Sequence, residues 1–230
     1  MLIGILQTGQ APDVLRDKTG DYPEFFRRLL ANRGFEFRTF HVEAMQFPVS
    51  VHDCDGWLIT GSRHGAYEDH PFIAPLENFI RKAIAEKVPM VGICFGHQII
   101  AQAMGGKVEK FAGGWAVGAQ DYDFGGEEVT LNAWHQDQVT ERPEGAELCA
   151  SNAFCENAAL VYGDSAYTIQ AHPEYDDEFI ENLMTHRGKG LVPDQIMAAA
   201  AKRFGEQNSS AAIADKIADF FTKPRNKTAV

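Results

Sequence analysis

The residues best placed to do chemistry lie in two short runs. The first reads Val91-Gly92-Ile93-Cys94-Phe95-Gly96-His97-Gln98, an apolar stretch that ends at a thiol between two glycines and leads into a helical pattern. That is the layout of a nucleophile elbow, a sharp strand-to-helix turn that lifts one side chain clear of a sheet and needs small residues where neighbouring backbone approaches. Helix N-terminal amides beneath the sulfur favour a thiolate. The second run reads Tyr167-Thr168-Ile169-Gln170-Ala171-His172-Pro173-Glu174, a β-rich segment ending in a histidine with a carboxylate two residues on. Side chains two apart on an extended chain share a face, so Glu174 is positioned to hold and polarise the His172 ring while that ring faces Cys94. A nucleophile, a base and an orienting acid are then all present.

These two runs resemble the nucleophile motif and the histidine-glutamate motif of class I glutamine amidotransferase domains, in the same order and at a fitting separation. The likeness runs from Met1 to just beyond Glu174 and is closest to stand-alone members related to the GMP synthase amidotransferase domain. It implies an α/β, flavodoxin-like fold: three layers, with a largely parallel central sheet covered by helices on both faces. It also implies that the amide of Phe95 and the Gly61-Ser62 corner form the oxyanion hole and that Gln98 contacts the amino-acid end of the substrate. The reaction implied is hydrolysis of the side-chain amide of glutamine through a γ-glutamyl thioester on Cys94, releasing glutamate and ammonia.

One segment departs from the family pattern. Ser62 and Arg63 stand where many members have Gly-Pro. The Gly-Ser turn resembles a branch that hydrolyses γ-glutamyl peptides, and Arg63 is suited to pair with a carboxylate beyond the scissile bond. A stand-alone γ-glutamyl peptidase with the same triad is therefore the alternative expectation, and a binding protein that has lost turnover is the third. The segment Ala133-Trp134-His135-Gln136-Asp137 resembles another family element. His135 is not expected to be the base, because Asp137 is read in a turn, and a structural place near the pocket rim is expected instead. His97 is read as a surface or packing residue, and the loop Gly113–Gly118 either as a plain turn or, as the resemblance implies, as a source of backbone contacts to substrate.

The elements that must position these groups follow from periodicity. Strands are expected at Leu2–Thr8, Phe35–Val42, Gly56–Thr60 and Pro89–Ile93, with helices at Asp21–Asn32 and Pro71–Lys87. This β-α-β alternation places the elbow at the carboxyl end of a parallel strand, where sites assemble. Past Gly105-Gly106, Lys107–Phe111, Ala116–Phe124, Val129–His135 and Ala146–Ser151 read as an antiparallel extension before a strand returns at Tyr167–Ala171. Helices are expected again at Glu178–His186, Pro193–Phe204 and Ser210–Phe221. All 230 residues are read as one domain, with 176–222 its helical C-terminal part and 223–230 a frayed polar tail.

Composition narrows the setting. A net charge of −11 argues against nucleic acid or an anionic membrane as a partner. The start, Met1-Leu2-Ile3-Gly4-Ile5-Leu6, is a strand pattern with no basic region before it, so no signal peptide is expected. Cys54, Cys94, Cys149 and Cys155 form no C-x-x-C pair, which fits a reduced, cytoplasmic protein. Metal binding is not indicated: His52 with Cys54, and His64 with His70, lack the ligand spacing of a structural zinc site and read as loop residues. No cofactor is implied. No phosphate loop occurs either, so any synthetase that consumed released ammonia would be a separate subunit.

Overall fold

The computed structural model of the chain describes residues 1–225; the rest of the expected tail, 226–230, lies outside the described residues. Its frame is a seven-stranded sheet built from β1 (Leu2–Gln7), β2 (Glu36–His41), β3 (Gly56–Ile59), β4 (Met90–Ile93), β9 (Glu147–Ala150), β10 (Ala159–Tyr162) and β11 (Ala166–Ile169). They are ordered β2-β1-β3-β4-β11-β10-β9. The first five neighbours run parallel and the last two pairings are antiparallel.

Side chains alternate between the two faces of these buried strands. Leu6, Trp57, Ile59 and Met90 pack against α3 (Ile73–Ala85) and α4 (Phe95–Ala103). Ile3, Ile5, Leu58, Val91 and Ile93 pack against α2 (Tyr22–Leu29) and α7 (Ser210–Thr222) through Phe26, Ile213, Ile217 and Phe221. The expected three-layer, largely parallel architecture is therefore present. α2 starts where a capping box allows it: Asp21 accepts from the Tyr22 amide and Glu24 reaches back to the Asp21 amide, an arrangement in which the cap alone is worth about 1 kcal/mol.

The antiparallel extension consists of two ribbons. β5 (Lys107–Lys110) pairs with β8 (Asp137–Glu141), and β6 (Ala116–Asp123) pairs with β7 (Glu128–His135). A third apolar cluster ties Val117 of β6 to Leu15, Phe25, Tyr175, Phe179, Leu183 and Ala200. It therefore joins the N-terminal segment to α1 (Asp13–Thr19), α5 (Asp177–Leu183) and α6 (Asp194–Ala201).

Several expectations need correction. The segment 146–151, read as part of the extension, instead supplies β9 at the edge of the main sheet. Asp137, read in a turn, begins β8, and only Gln136 bends. β8, β10 and α1 were not anticipated: β8 is mostly polar, β10 is four residues long, and α1 buries Leu15 alone, so none carries a usable period. The helix expected to run through His186 ends at Leu183 and widens into a π-helical turn, Met184–Gly188. The described start of the tail is not frayed. Lys223 pairs with Asp164, and the Arg225 guanidinium lies 4.8 Å from the Phe220 ring centroid.

Candidate active site

Three adjacent strands deliver the site. The carboxyl end of β3 leads to Gly61 and Ser62, that of β4 to Cys94, and that of β11 to His172. β4 and β11 are in register through Ile93 and Ile169, and the Cys94 amide donates to the Ile169 carbonyl at 2.8 Å. Residues far apart in the chain are thus fixed side by side by one ladder.

Cys94 adopts φ 53°, ψ −103°, a left-handed conformation that costs a non-glycine residue about 1–3 kcal/mol and is held here by its surroundings. The glycines explain how. A Cβ on Gly92 would lie 2.5 Å from the Gly96 carbonyl oxygen, and one on Gly96 would lie 2.4 Å from the Ile59 carbonyl oxygen. Only without those carbons can α4 start directly on top of the sheet.

His172 is held from three sides. Its amide donates to the Asn132 carbonyl at 2.8 Å, its Nδ1 meets Glu174 Oε1 at 2.7 Å, and the Tyr175 ring stacks on it at 4.0 Å with 6° between planes. The His172 and Glu174 side chains are almost wholly buried, 3% and 1% exposed. Burial alone would drive the imidazole toward neutrality. The Glu174 carboxylate, and after it Cys94, outweigh that and raise the ring to about 10. With Nδ1 committed to Glu174, Nε2 is the ring nitrogen left to serve the cysteine. The arrangement sets a raised imidazole beside a cysteine thiol.

The Gly61-Ser62 corner sits against both groups. A Cβ on Gly61 would approach His172 Cε1 to 3.1 Å and Cys94 Cβ to 3.9 Å. The Gly61 carbonyl accepts from the hydroxyls of Thr8 and Thr60, at 3.1 and 3.0 Å, and because the peptide is planar this turns the Ser62 N–H away from those threonines. Phe95 is the first residue of α4, where amides have no intrahelical acceptor.

Gln98 is buried and lines the cavity, but both of its amide hydrogens are used: Nε2 donates to the Asp137 carbonyl at 2.8 Å and to Gln170 Oε1 at 3.1 Å. Only Oε1 is left for a ligand's ammonium group. Gln170 in turn donates to Cys94 Sγ at 3.6 Å. That link was missed in sequence, although Gln170 lies in the motif and its alternation with His172 placed it on the same face. Tyr175 was also missed, because nothing in a lone tyrosine after a motif signals a stacked ring.

His135 lines the cavity, with both ring nitrogens buried and unpartnered among the described residues. Burial, reinforced by His172, lowers it to about 3, so the ring is neutral and holds a proton only weakly. His97 is wholly buried and bonds Thr168 Oγ1 through Nδ1 at 2.8 Å, which makes it a packing residue. From the 113–118 loop, it is Trp115 that lines the cavity.

Cys94 and His172 open into a cavity of about 260 Å³. Arg63 and Arg187 line it and also line a neighbouring polar cavity of about 510 Å³. Arg187 belongs to the π-helical turn and donates to the Gln10 carbonyl at 3.1 Å. Elsewhere, burial pushes the Cys54 and Cys155 thiols up to about 11 and about 12 and raises Cys149 as well. All four cysteines are free, and no helix among the described residues is long and apolar enough to cross a membrane.

Comparison with known proteins places this geometry in context. Residues 14–185 match the model of the family described as glutamine amidotransferase class-I. Gamma-glutamyl peptidase 3 of Arabidopsis thaliana is 35% identical over 200 residues, covering 80% of each chain. A glutamine-hydrolysing GMP synthase subunit of Methanocaldococcus jannaschii is 35% identical over 127 residues, 49% of this chain and 68% of that one. Among solved structures, a glutamine amido transferase from Methylobacillus flagellatus superposes with a TM-score of 0.76 at 22% identity, over 95% of this chain and 91% of the other, a likeness of fold.

Proposed function

The chain belongs to the class I glutamine amidotransferase family, and from that premise we propose that it is a Cys-His-Glu amidohydrolase that cleaves γ-glutamyl amide bonds. The observation that carries the reading is Cys94 on its strained turn beside an imidazole whose Nδ1 is held 2.7 Å from a buried carboxylate. Cys94 thiolate attacks the γ-carbonyl, and the Phe95 amide with the Gly61-Ser62 corner takes up the oxyanion, each donor being worth about 2.7–4 kcal/mol. The His172 imidazolium gives its proton to the departing nitrogen. The neutral ring then deprotonates a water that attacks the thioester, releasing glutamate and restoring the thiol. Glu174 keeps the ring in its working tautomer throughout.

Glutamine is the smallest such substrate. A γ-glutamyl peptide is the donor that two observations favour: Arg63 at the departure from the family pattern lines the cavity with Arg187, and the Arabidopsis relative is a γ-glutamyl peptidase. A guanidinium there suits the carboxylate of an amino-acid leaving group. The test is kcat/KM for glutamine against a series of γ-glutamyl dipeptides. A dipeptide preference that Arg63→Ala reduces about 10–100-fold is expected, the worth of one charge-assisted contact. Strong preference for plain glutamine would overturn the peptide assignment and leave the triad in place.

The likeness to a GMP synthase component supports a second reading, a glutaminase that passes ammonia to a separate synthetase. Glutamine hydrolysis that rises when a synthetase is added would favour it, and full activity without a partner would count against it.

A further inference from the structure

The loop between β3 and α3 contains a side-chain cluster that the hydrolytic mechanism does not use. His64, Glu68 and His70 bring one ligand-capable atom each to within 4.8 Å of one another. Glu68 Oε2 lies 2.8 Å from His70 Nε2 and 3.7 Å from His64 Nδ1. Donors bound at about 2.0–2.2 Å to a tetrahedral ion stand about 3.3–3.6 Å apart, and the two observed separations, the shorter of them a hydrogen bond, bracket that range. The histidine spacing looked unsuitable in sequence because a carboxylate stands between them and the fourth participant is distant in the chain.

That participant is Glu43. Its Oε1 accepts from His64 Nε2 at 3.0 Å, so the bond fixes the tautomer that leaves His64 Nδ1 free as a ligand. A carboxylate behind a histidine in this way is the usual outer partner of a metal-bound imidazole. The rings are also braced. His70 stacks on the buried Phe72 with 16° between planes, and the His64 and His70 centroids are 4.0 Å apart. Charge is balanced as well: two carboxylates, one bound and one behind, match a dication.

We propose that His64, Glu68 and His70 bind one divalent transition-metal ion of the zinc class, with Glu43 orienting His64 and a fourth position open to solvent or ligand. The two-nitrogen, one-oxygen donor set selects zinc, cobalt or nickel over magnesium or calcium, which require oxygen shells. His64 and Glu68 also line the cavity that holds Cys94 and His172, so the ion stands at the wall of the site. The proposal does not depend on which γ-glutamyl compound is hydrolysed.

The test is cobalt(II) titration of tag-free, full-length Cys94→Ala protein, followed by visible absorption and calorimetry. That substitution removes the one thiol in the cavity that would compete for the ion. One equivalent is expected to bind with the intense visible bands of a four-coordinate site. His64→Ala and His70→Ala are each expected to weaken binding more than 100-fold, and Glu43→Gln about 10–100-fold. His52→Ala, which removes an exposed histidine paired with Glu86 elsewhere, is expected to leave binding unchanged. Absence of stoichiometric binding, or binding that both His64→Ala and His70→Ala retain in full, would overturn the proposal. Circular dichroism of each variant separates loss of the site from loss of fold.

Discussion

The Tyr175 ring lies flat on the His172 imidazole, 4.0 Å from it and only 6° from parallel. A cation over an aromatic face is stabilised by about 0.5–2 kcal/mol, at the upper end when water is excluded, and both rings are buried here. Tyr175→Leu is therefore expected to lower kcat/KM roughly 3–30-fold, whereas Tyr175→Phe keeps the ring and most of the activity. Steady-state kinetics beside a thermal melt of each variant checks this. Equal losses in the two variants would mean that the hydroxyl, not the stack, matters.

Burial presses the His172 ring toward neutrality, and Glu174 is the largest influence against it, holding the ring at about 10. A base raised in the native state stabilises the fold fully below its unfolded value of about 6.5, and that contribution is lost as pH rises through about 10. Glu174→Gln should bring the ring's titration down, so that the loss of stability above about pH 6.5 is smaller and complete at a lower pH than in the wild type. Histidine NMR titration with denaturation from neutral to alkaline pH reports both. An unchanged His172 titration would remove Glu174 from its orienting role.

A Cβ added at Gly61 would stand 3.1 Å from His172 Cε1, tighter than an ordinary contact, so that the ring would have to give slightly. Gly61→Ala is expected to push the ring slightly off line and lower kcat, by less than the ~100-fold that a displacement of about 1 Å costs. Little change in melting temperature should accompany it. Wild-type turnover would show that the corner and the ring are not coupled.

Gln98 and Gln170 form a chain from the Asp137 carbonyl to the Cys94 sulfur. Gln98→Leu removes the oxygen left for a substrate ammonium and frees Gln170, so KM is expected to rise and kcat to fall together. A change in neither, measured with the preferred γ-glutamyl substrate, would exclude both roles.

How far these relationships could be read in sequence depended on range. Cys94, His172 and Glu174 were legible because each motif is local: a strand ends, a glycine admits a helix, and alternation puts a carboxylate two residues from a ring. The parallel strands were legible for the same reason, as buried runs between turn residues. Contacts set by the sheet were not. The seating of His172 depends on Asn132 of β7, the Gln170 link depends on β4 and β11 lying in register, and the meeting of Glu43 with His64 depends on β2 and β3 flanking β1. β8 and β10 were too short or too polar to show a period. The π-helical turn that carries Arg187 into the cavity wall was hidden because Met184–Gly188 holds a single large apolar residue, so no period marks it.

The central claim is that Cys94 takes up the acyl group. Rapid acid quench of the enzyme with a γ-glutamyl substrate, followed by mass spectrometry of the digested protein, tests it most directly. The account predicts one γ-glutamyl adduct, on the peptide that contains Cys94, formed before product and absent from Cys94→Ala, which should be inactive. Turnover by Cys94→Ala at the wild-type rate, or an adduct on Cys54, Cys149 or Cys155 in its place, would contradict it.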